Sequence, residues 1–203
     1  MALRSGKGFT AAVLALALGA ATGCAAPGSS AEGGGTIEGE SLAALPEGTH
    51  PCFFDFGGKV HLVGWDASPE TEARPGSVVH LKLYWRRVGP LGPGWALFTH
   101  LQNDLGQQTR NYDEVGAFRA SLKKDPGLAG LPLGEIRVDE QSIELPREGD
   151  LTPRVSIVVG VWRRDLRLPV VSGSSDGHSA AVVLHLGTGV ARARPAVDPR
   201  KPR

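Results

Sequence analysis

The chain has 203 residues, enough for one domain with tails, and 41% of them are hydrophobic, enough for a core. Lys+Arg 22 against Asp+Glu 21 leaves a formal charge of +1, which excludes the basic footprint of a nucleic-acid binder. Two cysteines and six scattered histidines exclude a disulfide scaffold and a zinc finger, while Gly 28 and Pro 15 favour turns over long helices.

Arg4 and Lys7 precede an apolar run from Ala11 to Ala20, and no acidic residue occurs before Glu32. The run is too short to cross ~30 Å of hydrocarbon as a stop-transfer helix and reads as the core of a signal peptide. It ends at Ala21-Thr22-Gly23-Cys24, which resembles a bacterial lipobox: small residues admit the peptidase and the Cys24 thiol accepts the lipid. Ala21 stands where leucine is commonest, and an ordinary secretory signal followed by an unrelated cysteine is the alternative. Residues 1–23 are therefore expected to be a lipoprotein signal peptide and Cys24 the lipidation site. Two or three acyl chains suffice for a stable anchor on the extracytoplasmic side of the membrane. Pro27 to Gly35 is made of small residues, so 24–50 is expected to be a tether ahead of a domain over 51–190. Cys52 is expected to be a small buried side chain beside Phe53 and Phe54.

From Gly57 onward the chain reads as short strands and turns. Residues 59–65 alternate Val60, Leu62 and Gly64 against His61, Val63 and Trp65. After the Arg74-Pro75-Gly76 turn, Val79, Leu81, Leu83 and Trp85 share one face, with His80 and Lys82 on the other. Trp95 to Gln102 is a more continuously apolar strand, and Asn103 to Gly106 turns it into a hairpin partner over 107–112. Helical spacing is confined to Val115–Lys124, through Val115, Phe118 and Leu122, followed by a loop over 125–134. Ile136 to Leu145 alternates again. Val155, Ile157, Val159 and Val161 form an inward stripe, with Leu166–Val171 as its expected hairpin partner and 179–186 as the last strand. About eight strands at this spacing predict an all-β, two-sheet sandwich, jelly-roll-like or immunoglobulin-like. The basic tail, 191–203, carries three prolines and is expected to be disordered.

The ordered pieces Val60 to Asp66, Arg74-Pro75-Gly76, Leu81 to Arg86, Phe98 to Leu101, Gly134-Glu135, Val159 to Trp162 and Leu168 to Val170 carry a resemblance. Together they resemble an uncharacterised bacterial β-sandwich module that follows the membrane region of glycosyltransferases and also occurs in exported proteins. The resemblance covers about residues 57 to 171 and implies a carbohydrate-associated sandwich without known catalysis. Leu131-Pro132-Leu133 departs from the aromatic and proline that the module carries before its Gly-Glu pair, and Lys123 to Gly130 reads as an insertion.

Paired carboxylates are available among Asp66, Asp104, Asp113, Glu135 and Asp139, but no spacing fixes a separation suited to glycoside cleavage. There is no G-x-S-x-G elbow, and no histidine pair at metal-ligand spacing. No metal or cofactor is implied. His100 and Asp139 are the notable polar residues within strand-like segments; a buried imidazole satisfied by a carboxylate or carbonyl accounts for them, and a ligand contact is the alternative. Trp65, Trp85 and Trp162 are expected in the core. Trp95 opens a strand after a Pro/Gly loop and is the tryptophan expected to be exposed for sugar stacking. Trp95, His100 and Asp139 are therefore the candidate ligand contacts, with no catalytic residue. The expected protein is a lipid-anchored, extracytoplasmic, non-catalytic module of the cell envelope whose partner is a polysaccharide or another envelope protein. The alternatives are an accessory of a secretion or surface-assembly machine and, behind it, a hydrolase.

Overall fold

The computed structural model describes residues 37–147, 151–173, 175 and 180–190. The stretch 1–23 expected to be a signal peptide, the expected lipidation site Cys24 and the basic tail over 191–203 lie outside the described residues. Among them are eleven strands and one short helix. These are β1 (Ser41–Leu42), β2 (His50–Phe56), β3 (Val60–Ser68), β4 (Val78–Arg87), β5 (Ala96–Gln102), β6 (Gln108–Asn111), α1 (Ala117–Leu122), β7 (Ile136–Glu144), β8 (Arg154–Arg163), β9 (Leu166–Arg167), β10 (Val170–Ser172) and β11 (Ala181–Gly187). One sheet, A, has the order β1-β7-β4-β3-β2-β10; the other, B, runs β11-β8-β5-β6 with β9 added to β8. Every strand pairing is antiparallel. The fold is an all-β, two-sheet sandwich, as its spacing predicts, with more and shorter strands than the eight expected.

Period-two patterning explains the core directly. Val79, Leu81, Leu83 and Trp85 of β4 are each at most 1% exposed, and they face Val155, Ile157, Val159 and Val161 of β8, all fully buried. β3 breaks the strict alternation. A bulge between Leu62 and Gly64 shifts its pairing with β4, so Trp65 and Ala67 turn inward while Val63 joins an outer cluster with Tyr84, Ile136 and Val138.

The chain joins the sandwich ahead of the expected boundary at 51. β1 pairs with Arg137 and Ile136, Ile37 packs on the core, and Leu42 and Leu45 cover the outer cluster of sheet A. Gly64 permits this overlay: a Cβ there would sit 2.9 Å from Thr49 Cγ2 and 3.0 Å from Leu45 Cδ2. The stretch 24–50 read as tether thus contains sandwich residues from 37 onward.

The segment expected as a single hairpin partner, Leu166–Val171, serves both sheets. β9 pairs with Trp162 and Arg163 in sheet B. Leu168 and Pro169 then cross between the sheets, with Leu168 N–H donating to Val161 O and Gly57 N–H to Pro169 O, both 2.9 Å, and β10 pairs with β2 in sheet A. α1 forms where helical spacing is found; it buries Phe118, Arg119 and Leu122 between β7 and β5.

Candidate functional site

Asp139 and His100 are both buried, and the structure brings each to a partner, though not to each other. Asp139, 0% exposed, lies on the inner face of β7 opposite Leu83. Arg119 reaches in from α1 and donates through Nε to Asp139 Oδ2 at 2.7 Å and through Nη2 to Thr99 Oγ1 at 2.9 Å. Trp85 Nε1 (3.2 Å) and Gln141 Nε2 (3.2 and 3.3 Å) also donate to the carboxylate. The network ties both sheets to the helix. A charge buried this deeply persists only when paired and hydrogen-bonded, which makes Asp139 and Arg119 parts of the architecture.

His100, 6% exposed, lies on the outer face of sheet B. Its Nε2 is 3.3 Å from Asp113 Oδ1. A carboxylate only accepts, so Nε2 donates to it. Burial alone would raise the pKa of the Asp113 carboxyl, but hydrogen bonds from His100, the Thr99 N–H (2.9 Å) and Asn111 Nδ2 (3.0 Å) outweigh it and hold the carboxyl below its usual value. The imidazole stacks on Phe98 at 4.6 Å, and the Arg167 guanidinium sits over the same ring, also at 4.6 Å.

These groups line a cavity of about 330 Å³ whose walls also carry Gln108, Trp162, Arg164 and Asp165. Trp162, expected in the core, faces outward because Val161 beside it faces in; its buried Nε1–H has no acceptor. Buried polar groups are nearly always satisfied, and this indole N–H, on a residue that lines both this cavity and a neighbouring one of about 240 Å³, is one of the few described side-chain groups that are not. Two arginines balance two aspartates there, and no serine, threonine or cysteine is among the lining residues. The site can stack a ring and make hydrogen bonds of both senses, but it offers no side-chain hydroxyl or thiol nucleophile.

Trp95 is not the exposed tryptophan. It is 7% exposed, belongs to the main core cluster, and the Arg163 guanidinium closes over its ring at 4.9 Å. The Pro/Gly loop before it is shut by the turn over 127–130, where Leu128 N–H donates to Trp95 O at 3.3 Å. Cys52 packs against the core but is half-buried, short of the burial expected: its thiol points at Leu62 O (3.6 Å), and burial pushes its pKa up to about 12. Arg119 and Arg167 were not singled out by sequence, while Asp113 entered only among the available carboxylates and Trp162 only as a core residue. Only Trp162 carried a signal, its parity against the Val155–Val161 stripe.

Among the described residues no group of three His, Cys, Asp or Glu side chains is placed to hold a metal ion, and no helix is long and apolar enough to cross a membrane. No family model matches the chain and no curated protein is similar to it, so the resemblance to the glycosyltransferase-appended module rests on its ordered sequence pieces alone.

Proposed function

We propose that this chain is a lipid-anchored, non-catalytic binding module of the cell envelope, held outside the cytoplasm by acyl chains on Cys24, which takes a glycan at the outer cavity of sheet B. The observation that carries this reading is the cavity that Trp162, whose Nε1–H is unpartnered, lines together with His100, Asn111, Gln108 and Arg167. An indole flanked by amides, a guanidinium and an imidazole suits a sugar ring. The C–H face stacks on the aromatic, and the hydroxyls both donate and accept. A cavity of this size holds one or two rings, which favours a chain end over the middle of a long polymer.

The test is titration of the Cys24→Ala protein with oligosaccharides released from bacterial envelope polysaccharide, followed by tryptophan fluorescence. Binding is expected to weaken at least about tenfold in Trp162→Ala, equivalent to ~1.4 kcal/mol, with the circular dichroism spectrum unchanged. Equal binding by Trp162→Ala, or no saccharide response in the parent, overturns the assignment. Intact mass and membrane fractionation of wild type against Cys24→Ala test the anchor separately.

A further inference from the structure

Four turns meet at one end of the sandwich. The turn over 57–59 touches the loop over 88–94: Val88 N–H donates to Lys59 O at 2.8 Å, and a Cβ on Gly89 would sit 2.8 Å from Gly58 O. The same loop rests on sheet B through Arg163, whose side chain lies beside Gly92 and Gly94. Leu133 forms a bridge with Arg87, the residue before Val88, and Leu166 pairs with Arg163 across the β8–β9 turn. Val88, Leu133 (61% exposed) and Leu166 (52%) therefore stand on one tip, together with the exposed Pro90 and Pro93.

Single exposed aliphatic side chains are ordinary, so charge has to set this tip apart. Segments 57–59, 86–94 and 163–167 carry six basic residues and one acid, Asp165. Among the described residues Lys59, Arg87, Arg163 and Arg164 form no ion pair, while Glu135, near Leu133, is already held by Ser41 Oγ at 2.7 Å and Arg137 at 3.8 Å. The opposite end reverses the sign. Segments 46–49, 69–77 and 103–107 carry four acids and one arginine, and the exposed Leu105 and Val78 there stand beside Asp104 and opposite Glu144.

We propose that the tip bearing Val88, Leu133 and Leu166 docks on an anionic lipid bilayer. The three aliphatic side chains leave water at the boundary of headgroups and acyl chains, and the cations beside them meet the phosphates; each term alone is weak, and together they favour one orientation. Ile37, where the described chain begins, packs against Gly130, three residues from Leu133, so the chain enters at the same tip; to that extent the inference rests on the proposed lipid anchor. Arg164, Asp165 and Arg167 of the β8–β9 turn also line the outer cavity of sheet B, so a docked tip brings the rim of the proposed glycan site to the membrane surface.

The test uses the full chain with Cys24→Ala and one added cysteine, Leu133→Cys or Leu105→Cys, labelled with a polarity-sensitive fluorophore. Cys52 stays unlabelled, because it is half-buried and its pKa is pushed up to about 12. With vesicles of phosphatidylcholine and phosphatidylglycerol the dye at 133 should shift to the blue and the dye at 105 should not; pure phosphatidylcholine should move neither. Adding Lys59→Gln/Arg164→Gln should raise the lipid needed for the half-maximal shift about thirtyfold, at about fivefold per cation. The vesicles hold no saccharide and the protein no acyl chain, so a failure here leaves the glycan site and the anchor standing, and their failure leaves this result standing. The proposal is overturned if anionic vesicles cause no shift at 133, if pure phosphatidylcholine shifts it equally, or if the dye at 105 responds as much. A shift that needs no vesicles and grows with protein concentration would assign the tip to a second copy and overturn it too.

Discussion

Replacing Arg119 by leucine tests whether the buried ion pair holds the helix into the sandwich. The substitution leaves the Asp139 carboxylate, 0% exposed, with only Trp85 Nε1 and Gln141 Nε2 as donors. Breaking one side of a buried pair costs ~3–5 kcal/mol, against a total stability of roughly 5–15 kcal/mol. At ~2–4 °C per kcal/mol for a domain of this size, the thermal midpoint should fall by about 6–20 °C. Urea unfolding followed by tryptophan fluorescence reads the same loss near Trp85, which touches the carboxylate. The sign of a second substitution is the sharper test. Asp139→Asn in the wild-type background strands the Arg119 guanidinium and should destabilise. In the Arg119→Leu background it removes an unpaired buried charge and should recover ~1–2 kcal/mol. A loss below ~1 kcal/mol for Arg119→Leu, or the same Asp139→Asn cost in both backgrounds, would refute the reasoning.

Three further outcomes follow from the geometry. Asp113 has a folded pKa below its unfolded value, so its contribution is complete above about pH 4 and is lost as pH falls through the lower, folded value. Asp113→Asn should therefore be less stable than wild type at pH 7 by ~1 kcal/mol, and the gap should close in denaturant titrations as pH falls through the lowered folded value. Gly116 has φ +101 and a Cβ there would meet Glu140 O, whereas Gly134 has φ +83 with nothing within 4 Å. Gly116→Ala should cost ~3 kcal/mol or more and Gly134→Ala only ~1 kcal/mol, compared by urea midpoint. Cys52, with its pKa raised from 9.0 to about 12, should alkylate roughly a thousandfold more slowly in folded Cys24→Ala protein than in urea, timed by intact mass.

Sequence patterning was sufficient for β4, β8 and the hairpin at Asn103, because each is a local matter of alternation or turn chemistry. Asn103 Oδ1 accepts from Leu105 and Gln107 N–H at 3.0 and 2.9 Å, the bonds expected of an asparagine at a hairpin tip. The bulge in β3 was not legible, since it needs no special residue and is fixed only when β4 lies alongside. The inward turn of Arg119 was hidden for a related reason: its partner is 20 residues away on another element, and an arginine at helical spacing reads as solvated until that carboxylate is placed. Trp95 and Trp162 were exchanged. The loop before Trp95 suggested exposure, but Leu128 and Arg163 close over it, while the hydrophobicity of Trp162 masked a strand parity that already pointed it outward.

The position of the outer cavity carries a consequence for the proposed anchor. Ile37 lies against Gly130, in the turn that bonds Trp95, and the next residue, Ala96, pairs with Trp162 in the cavity wall. The chain therefore enters the sandwich at the end that holds Trp162, and leaves it near Gly187 at the other. If Cys24 carries the lipid, the thirteen residues 24–36 set an upper limit of ~45 Å between the bilayer and Ile37. The cavity would then work close to the membrane, on glycans at or near its surface, and not on polymer far out in the envelope. Doubling the 24–36 segment with glycine and serine should extend capture to more distant polysaccharide in intact cells without changing affinity in solution. A change in the solution affinity would place part of the binding site in that segment and refute the assignment to Trp162 and its neighbours alone.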